Sequence, residues 1–534
     1  MSLQSLRCTC WLLVLLGYKG SGDSCPEMAP CECSKRYLPT EYASNGWAEP
    51  FASFKDAFIL SCSDTGLTEI PDFNPVLNKS INAIWLSHNK IKVVEEHSFQ
   101  GMKLSAISLD GNPLERVHRN AFSHMANSLE SLTLGRTRLH FKEGIHFLEG
   151  LTNLRELDLS YTKHEMEILP SNFFRPFNVQ SLVSLERLVL SGMEFSDIEI
   201  DTFVGMETIK SLEMCSLPLQ TIPNALSRLT ELRHLDLTDG PPLNITRDAM
   251  KHFKYLQHLQ ISRRGLKSSP GHALQELDSL VHLDLSDNDI RDFGDESFSG
   301  KYKLRTLIIG GNPTHFTDNM FQRIEMTLDH LDISRMELTE LPLKSLRKLK
   351  KLQILVADEN LFKSINADFF SGLKLNHISI NNVPNLTNIN DDAFMNMKSP
   401  LGLSLVDTGI KSLAFIANSR PCLFGKVKVG GTSIPCDCQL EKLLHSGIVT
   451  DSLSGSCSFP GEITKYWFIT YNGIQVNVGG YRKLNSRLLS VCGHSKLDIQ
   501  CPLRMSSGHK QYTLSAFYVL ISIIIIFMHF TILI

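Results

Sequence analysis

The sequence predicts an α/β solenoid of about 15 repeats, with a parallel β-sheet along its concave side and a disulfide cap at each end. Three observations predict it. A leucine pattern recurs at a nearly constant interval through the middle of the chain. A phenylalanine recurs about eighteen residues into many of those intervals. Cysteines crowd just before the first interval and just after the last. Composition agrees: 43% of the 534 residues are hydrophobic, enough to build a core. Lys+Arg (53) nearly balances Asp+Glu (56), which predicts no nucleic-acid partner held by bulk charge.

In chain order, residues 1–22 read as a secretory signal. One Arg precedes the apolar run CTCWLLVLLG, and Gly20 and Gly22 supply small residues ahead of a cleavage point. Residues 23–80 hold Cys25, Cys31, Cys33 and Cys62 and form the N-terminal cap; in an oxidising compartment they are structural half-cystines, with zinc as the rival for the Cys-x-Cys pair.

Residues 81–423 carry the repeats. INAIWLSHNKI from Ile81, LSAISLDGNPL from Leu104 and LVHLDLSDNDI from Leu280 share L-x-x-L-x-L-x-x-N-x-L, with Ile allowed for Leu. The same positions recur up to Phe424, at a mean interval of 24.5 residues. The x-L-x-L part is a short strand whose two Leu point inward, and the following Asn can bond backbone at the bend. Phe99, Phe122, Phe147, Phe203, Phe298, Phe370 and Phe394 form the second apolar set. Met193, Leu217, Gly240, Arg264, Met336 and Val383 replace Asn, and the ladder is expected to be least regular between Met193 and Arg264. The repeat from Leu154 is 31 residues long, and its excess should bulge on the edge or outer face.

Residues 424–501 contain the last strand and Cys436, Cys438, Cys457 and Cys492. Residues 502–534 end in a chargeless apolar tail behind Ser506, Ser507 and Gly508. These are the parts of a glycolipid attachment signal with Ser506 as the joined residue; the alternative is a single membrane-spanning helix.

This pattern of repeats and caps resembles the extracellular leucine-rich repeat superfamily, over about residues 25 to 501. The resemblance implies a horseshoe and pairs Cys25 with Cys33, Cys31 with Cys62, Cys436 with Cys457, and Cys438 with Cys492. The tail makes the architecture similar to glycolipid-anchored adhesion proteins such as chaoptin and connectin. Of the three remaining cysteines, Cys422 and Cys501 belong to one end and form the expected fifth pair. Cys215 is expected on the open concave side, as an unpaired thiol or the bridge of a homodimer.

Asn78, Asn244 and Asn385 open glycosylation sequons; Leu386 should take the inward slot beside Asn385. On the concave wall His234, His258, His282, His330 and His377 occupy one column, and Asp158, Asp236, Asp284 and Asp332 another. The histidines are either a metal- or pH-sensing stripe or ordinary solvated dressing, the second being favoured. The outward columns hold twelve acids against six Lys/Arg and six His, which favours a basic partner. Asp236, His258, Asp284 and Asp332 are the candidate contact residues. No H-E-x-x-H, G-x-S-x-G or P-loop spacing occurs, so no catalytic residue, metal or cofactor is expected.

The predicted function is a cell-surface protein without a signalling domain, lipid-anchored on the extracellular face, that binds an extracellular or cell-surface protein in adhesion or recognition. The alternative is a secreted non-catalytic binding subunit or innate-immune recognition protein.

Overall fold

In a computed structural model of the chain, the structure describes residues 28–35, 58–77, 81–141, 145–162, 166–174, 182–295, 297–298, 303–420, 422–438, 440, 443–444, 449, 451–459, 466–471, 474–475, 484 and 488. It forms two compact units. The first is Met1–Ile308 with Gln322–Thr327; the second is Ile309–Phe321 with Leu328–Ile534. Each is a solenoid of short parallel strands.

In the first unit the strands Phe58–Ser61, Ile81–Trp85, Ala106–Ser108, Ser131–Thr133, Glu156–Asp158 and Arg187–Val189 pair in sequence order. Ser211–Glu213, His234–Asp236, His258–Gln260, His282–Asp284 and Thr306–Ile308 continue the ladder in step. The ladder thus begins one strand before Ile81, inside the segment read as cap. Register explains why: Leu60 pairs with Ile84, so Cys62 stands where the next repeat has Leu86, and both are fully buried. A cysteine in the second inward slot disguises the repeat. That cysteine is bonded to Cys31, and Glu32–Lys35 covers the edge of Phe58–Ser61 antiparallel.

In the second unit the parallel strands are His330–Asp332, Ile354–Val356, His377–Ser379, Leu401–Ser404, Phe424–Pro435 and Ser452–Ser458. The last of these lies beyond the strand at Phe424 that the repeat pattern ends on. It turns antiparallel into Tyr466–Tyr471, and Cys436 is bonded to Cys457 across this end. Cys33, Cys422 and Cys438 are also disulfide-bonded. Cys25, Cys492 and Cys501 lie outside the described residues, as do the leader, Asn78, Ser506 and the apolar tail.

Among the described residues the return segments hold little regular helix. Arg247–Met250, Leu343–Leu346 and Ala414–Ala417 are single turns. Elsewhere there are 3-10 turns and two-residue strands, such as Ile168–Leu169 against Asp197–Ile198. A short repeat leaves few residues to run back along the turn, and extended or 3-10 backbone covers more length per residue than an α-helix. In the long repeat from Leu154, Phe173 and Phe174 are buried and their rings meet edge to face at 4.9 Å, while residues 163–165 and 175–181 of its excess lie outside the described residues.

The inward leucines are almost wholly excluded from water, for example Leu157, Leu235, Leu259 and Leu331. Burying each such side chain stabilises by roughly 1.5–3 kcal/mol. The phenylalanines form the second layer: Phe99 stacks on Phe73 at 6.0 Å and on Phe122 at 5.9 Å, and Phe370 meets Phe394 at 5.4 Å. No repeat encloses its own rings, so successive repeats must stack.

Asparagines knit the bends. Asn288 Oδ1 accepts from the N–H groups of Arg264 (2.9 Å) and Leu266 (3.2 Å), while its Nδ2 donates to the carbonyls of Ile261 (2.8 Å) and Leu285 (3.0 Å). Asn89, Asn112 and Asn360 do the same work in their repeats. Thr137, Thr162, Thr408 and Thr432 donate one hydroxyl each to the carbonyl three residues back, so they replace only part of it.

Between Met193 and Arg264 the strand register does not slip. Two Asn positions, Leu217 and Gly240, offer no polar side chain, and Arg264 serves both bends from one and two repeats further on. Its Nη1 donates to the carbonyls of Leu217 (3.1 Å) and Asp239 (2.9 Å), and its Nη2 to that of Leu219. Gly240 makes this possible: a Cβ there would lie 1.9 Å from Arg264 Nη1. The side chain is 1% exposed, and burial pushes its pKa down to about 10, still charged at neutral pH.

Candidate partner-binding wall

Alternation along each strand sends every second side chain to the concave side. In the first unit this brings Glu156, Arg187, Ser211, His234, His258 and His282 into one row across successive strands. The next row runs through Asp158, Glu213, Asp236, Gln260 and Asp284.

The three histidines stack as the strand spacing requires. His234 and His258 lie 4.4 Å apart at 18°, and His258 and His282 lie 5.6 Å apart at 25°. Face-to-face rings do not turn their nitrogens toward a common centre. Among the described residues no group of three or more His, Cys, Asp or Glu is placed to hold a metal ion. Burial, then the two flanking rings, push the His258 pKa down to about 3, so this ring is neutral at physiological pH. In the second unit, burial likewise lowers His330 and His377.

The aspartates are spent locally. Asp158, Asp236, Asp284 and Asp332 are half-buried. Each accepts from the backbone N–H two residues on: Ser160, Thr238 (2.9 Å), Ser286 (2.8 Å) and Ser334 (2.8 Å) respectively. They therefore brace the bend that leaves the strand. Burial raises the pKa of Asp158 and Asp236 and pushes that of Asp284 up to about 6. Further along, Arg187 Nη2 lies 2.6 Å from Glu213, while burial pushes Glu156, on the other side of Arg187, up to about 7. Most of the wall's acids thus bond to backbone, pair with Arg or carry a raised pKa. Counting acids in the sequence overstates the negative charge offered to a partner.

Cys215 differs from expectation. It lies past the end of Ser211–Glu213, is 4% exposed, and receives its place from the bend: its N–H donates to Ser191 Oγ (3.1 Å) and its thiol bonds the Asp236 carboxylate. A bridge to a second chain needs an exposed sulfur, and this one is enclosed. Asn244 and Asn385 are exposed, and Leu386 is fully buried in the inward slot beside Asn385.

Two groupings were not singled out in the pattern. Near the start of the first unit, Ile59, Ala83 and Ala106 form a buried apolar cluster with Trp85 packed against it. In the second unit, His377, Lys426 and Lys428 stand on neighbouring strands around Gly402; both lysines are exposed. Both lysines stand in the outward columns that the repeat pattern defines from Phe424, and the paired register brings them beside His377.

A family model described as "BspA type Leucine rich repeat region" matches residues 76–191, 172–305 and 271–400, more than half of the chain. Toll-like receptor 3 of Bos taurus is 26% identical over 313 residues, covering 56% of this chain and 31% of that protein. The CD180 antigen of Mus musculus is 25% identical over 383 residues, covering 70% of this chain and 53% of that one. The chain thus spans about a third to a half of the length of these curated relatives. Among solved structures, the mouse RP105/MD-1 complex contains a chain that superposes with a TM-score of 0.51 at 18% identity, covering 71% of each chain. With its stacked parallel strands, inward leucines and asparagine-bonded bends, the chain belongs to the leucine-rich repeat family.

Proposed function

We propose that the protein is a non-catalytic recognition protein that binds a protein partner through its concave wall. We place it on the extracellular face of the plasma membrane, held by a lipid joined at Ser506. The observation that carries the reading is the wall itself. In each unit it is a run of parallel strands whose return segments pack on the other side, so a surface of outward side chains is left to a partner. The RP105 structure is of a complex with MD-1, which supports a protein as the partner class. A secreted protein that recognises foreign molecules is the second reading; the likeness to a protein named Toll-like receptor 3 supports a receptor-like, ligand-binding chain under either reading.

The test displays the full chain on cells and screens it against extracellular proteins and against itself. Substitution of wall residues such as Gln260 should abolish capture of any partner found, with surface display unchanged. If changes confined to the return segments abolish capture while wall changes leave it intact, the wall is the wrong surface.

A further inference from the structure

We propose that His377, Lys426 and Lys428 form an anion subsite on the wall of the second unit that receives an acidic side-chain cluster of the protein partner. The inference rests on the reading that this wall binds protein. It reverses the sign of partner charge that composition implied.

The geometry is as follows. Register places His377 opposite Gly402, and Ser379 opposite Ser404; Ser404 is opposite Lys428 on the next strand, with Lys426 two residues before it. Gly402 has no side chain to fill its place on the wall, and the His377 ring occupies it: a Cβ at Gly402 would lie 2.4 Å from His377 Nδ1. The imidazole therefore reaches one strand toward the lysines. Neighbouring strands are about 4.8 Å apart, so the three cationic or donor groups lie on one stretch of the wall. Its other side chains are small: Ser379 and Ser404, then Ser452 and Ser454 opposite the lysines.

No described acid neutralises this group. Neither Lys426 nor Lys428 makes an ion pair among the described residues, although lysines elsewhere do, such as Lys210 with Glu186 at 3.0 Å. The nearby acids are otherwise placed. Asp358 accepts from Ser379 Oγ (2.7 Å), the Asn381 N–H (2.8 Å) and Asn381 Nδ2 (3.1 Å). Asp451 sits at the rim, with an oxygen 3.1 Å from where a Gly425 Cβ would be. Burial and the neighbouring Lys426 charge hold the Lys428 amine below its ordinary value, as expected for cations lacking a counter-ion. Two adjacent amines with an imidazole beside them fit carboxylates presented in sequence, and a partner that supplies them relieves the repulsion.

The probe is a labelled alternating Gly-Glu octapeptide, with the Gly-Gln octapeptide as control, titrated onto the full chain displayed on cells. Binding of the Glu peptide, weakened by added salt and reduced about tenfold in K426Q/K428Q, is the expected result. K426R/K428R should keep it, which separates loss of charge from loss of fold. Equal binding of the two octapeptides overturns the proposal, as does undiminished Glu-peptide binding in K426Q/K428Q. So does binding of a sulfated polysaccharide with none of the Glu peptide, because it assigns the site to a different ligand class. The two readings fail separately. If a captured partner binds K426Q/K428Q as well as the parent chain, this subsite is wrong and the wall reading stands. If the wall variants fail to affect any partner while the Glu peptide still depends on both lysines, the reverse holds.

Discussion

Arg264 shows how far one side chain can depart from a repeat consensus without breaking it. It occupies an asparagine position, yet its guanidinium serves bends two repeats away through the gap at Gly240. Replacing it with alanine strips donors from three carbonyls, each worth about 1–3 kcal/mol when buried and unmet. R264A should lower the stability of the first unit by about 3 kcal/mol or more, read as reduced hydrogen-exchange protection around residues 217–264. G240A should be costly for the clash with Arg264, and in G240A/R264A that clash is gone. The double variant should be less destabilised than the sum of the singles; strict additivity would show that the two positions are not coupled. Titration offers a second residue-scale test. The Asp284 pKa is raised to about 6, so its contribution is full below its ordinary pKa near 3.8 and is lost as pH rises through 6. His258 has the opposite sign: its pKa is depressed to about 3, so its contribution is present above about 6.5 and is lost as pH falls toward 3. D284N keeps the acceptor for Ser286 and should gain thermal stability over the parent at pH 7.5 but not at pH 4. H258Q should lose less on acidification from pH 7 to pH 4 than the parent does. Parallel curves for parent and variants would remove both assignments.

At the scale of the element, each repeat is a strand, a bonded bend and a return segment, and these three were unequally legible. The strands were plain, because inward leucines at fixed spacing are what a parallel ladder needs. The bend was legible where Asn stood. N288A leaves two N–H donors and two carbonyls unmet, whereas T162A loses one hydroxyl bond. The first should cost about 2–4 kcal/mol and the second about 1 kcal/mol, checked by the denaturation midpoints of the two variants. Similar midpoints would mean that the asparagines are not the ties they resemble. The bend was misread where the consensus failed, because a consensus describes one repeat and Arg264 acts across three. The strand at Phe58 was missed for a related reason: Cys62 fills a leucine slot while also making the cap disulfide. The wall was the least legible part. The column positions of Asp236, Asp284 and Asp332 follow from the alternation, but their turn toward backbone N–H groups depends on the following Ser or Thr in space. Cys215 was placed on the open side by the same alternation, which stops applying where the strand ends at Glu213.

For the whole molecule, the decisive question is what holds it where a partner can reach it. Among the described residues no helix is long and apolar enough to cross a membrane, and the tail from Ala516 lies outside them. What supports a lipid is the chemistry of the tail and of the residues before it. Ser506, Ser507 and Gly508 are small enough to enter a transamidating site, a polar spacer follows, and the apolar tail contains no Lys, Arg, Asp or Glu. A lipid and a permanent span differ in a covalent bond. Attachment at Ser506 removes the tail and leaves a phosphodiester within reach of a phosphatidylinositol-specific phospholipase, so treatment of intact cells should release the chain with its wall intact. Replacing Ser506, Ser507 and Gly508 together with bulky residues should abolish display, because the tail is then not exchanged for lipid. Retention after phospholipase treatment, with the tail still present in the mature mass, would identify a permanent span. Constitutive appearance in the medium without treatment would favour the secreted reading. Asn244 and Asn385 are exposed and supply an internal control: a mass shift on glycosidase treatment shows that the chain passed through the secretory route, whichever way its end is held.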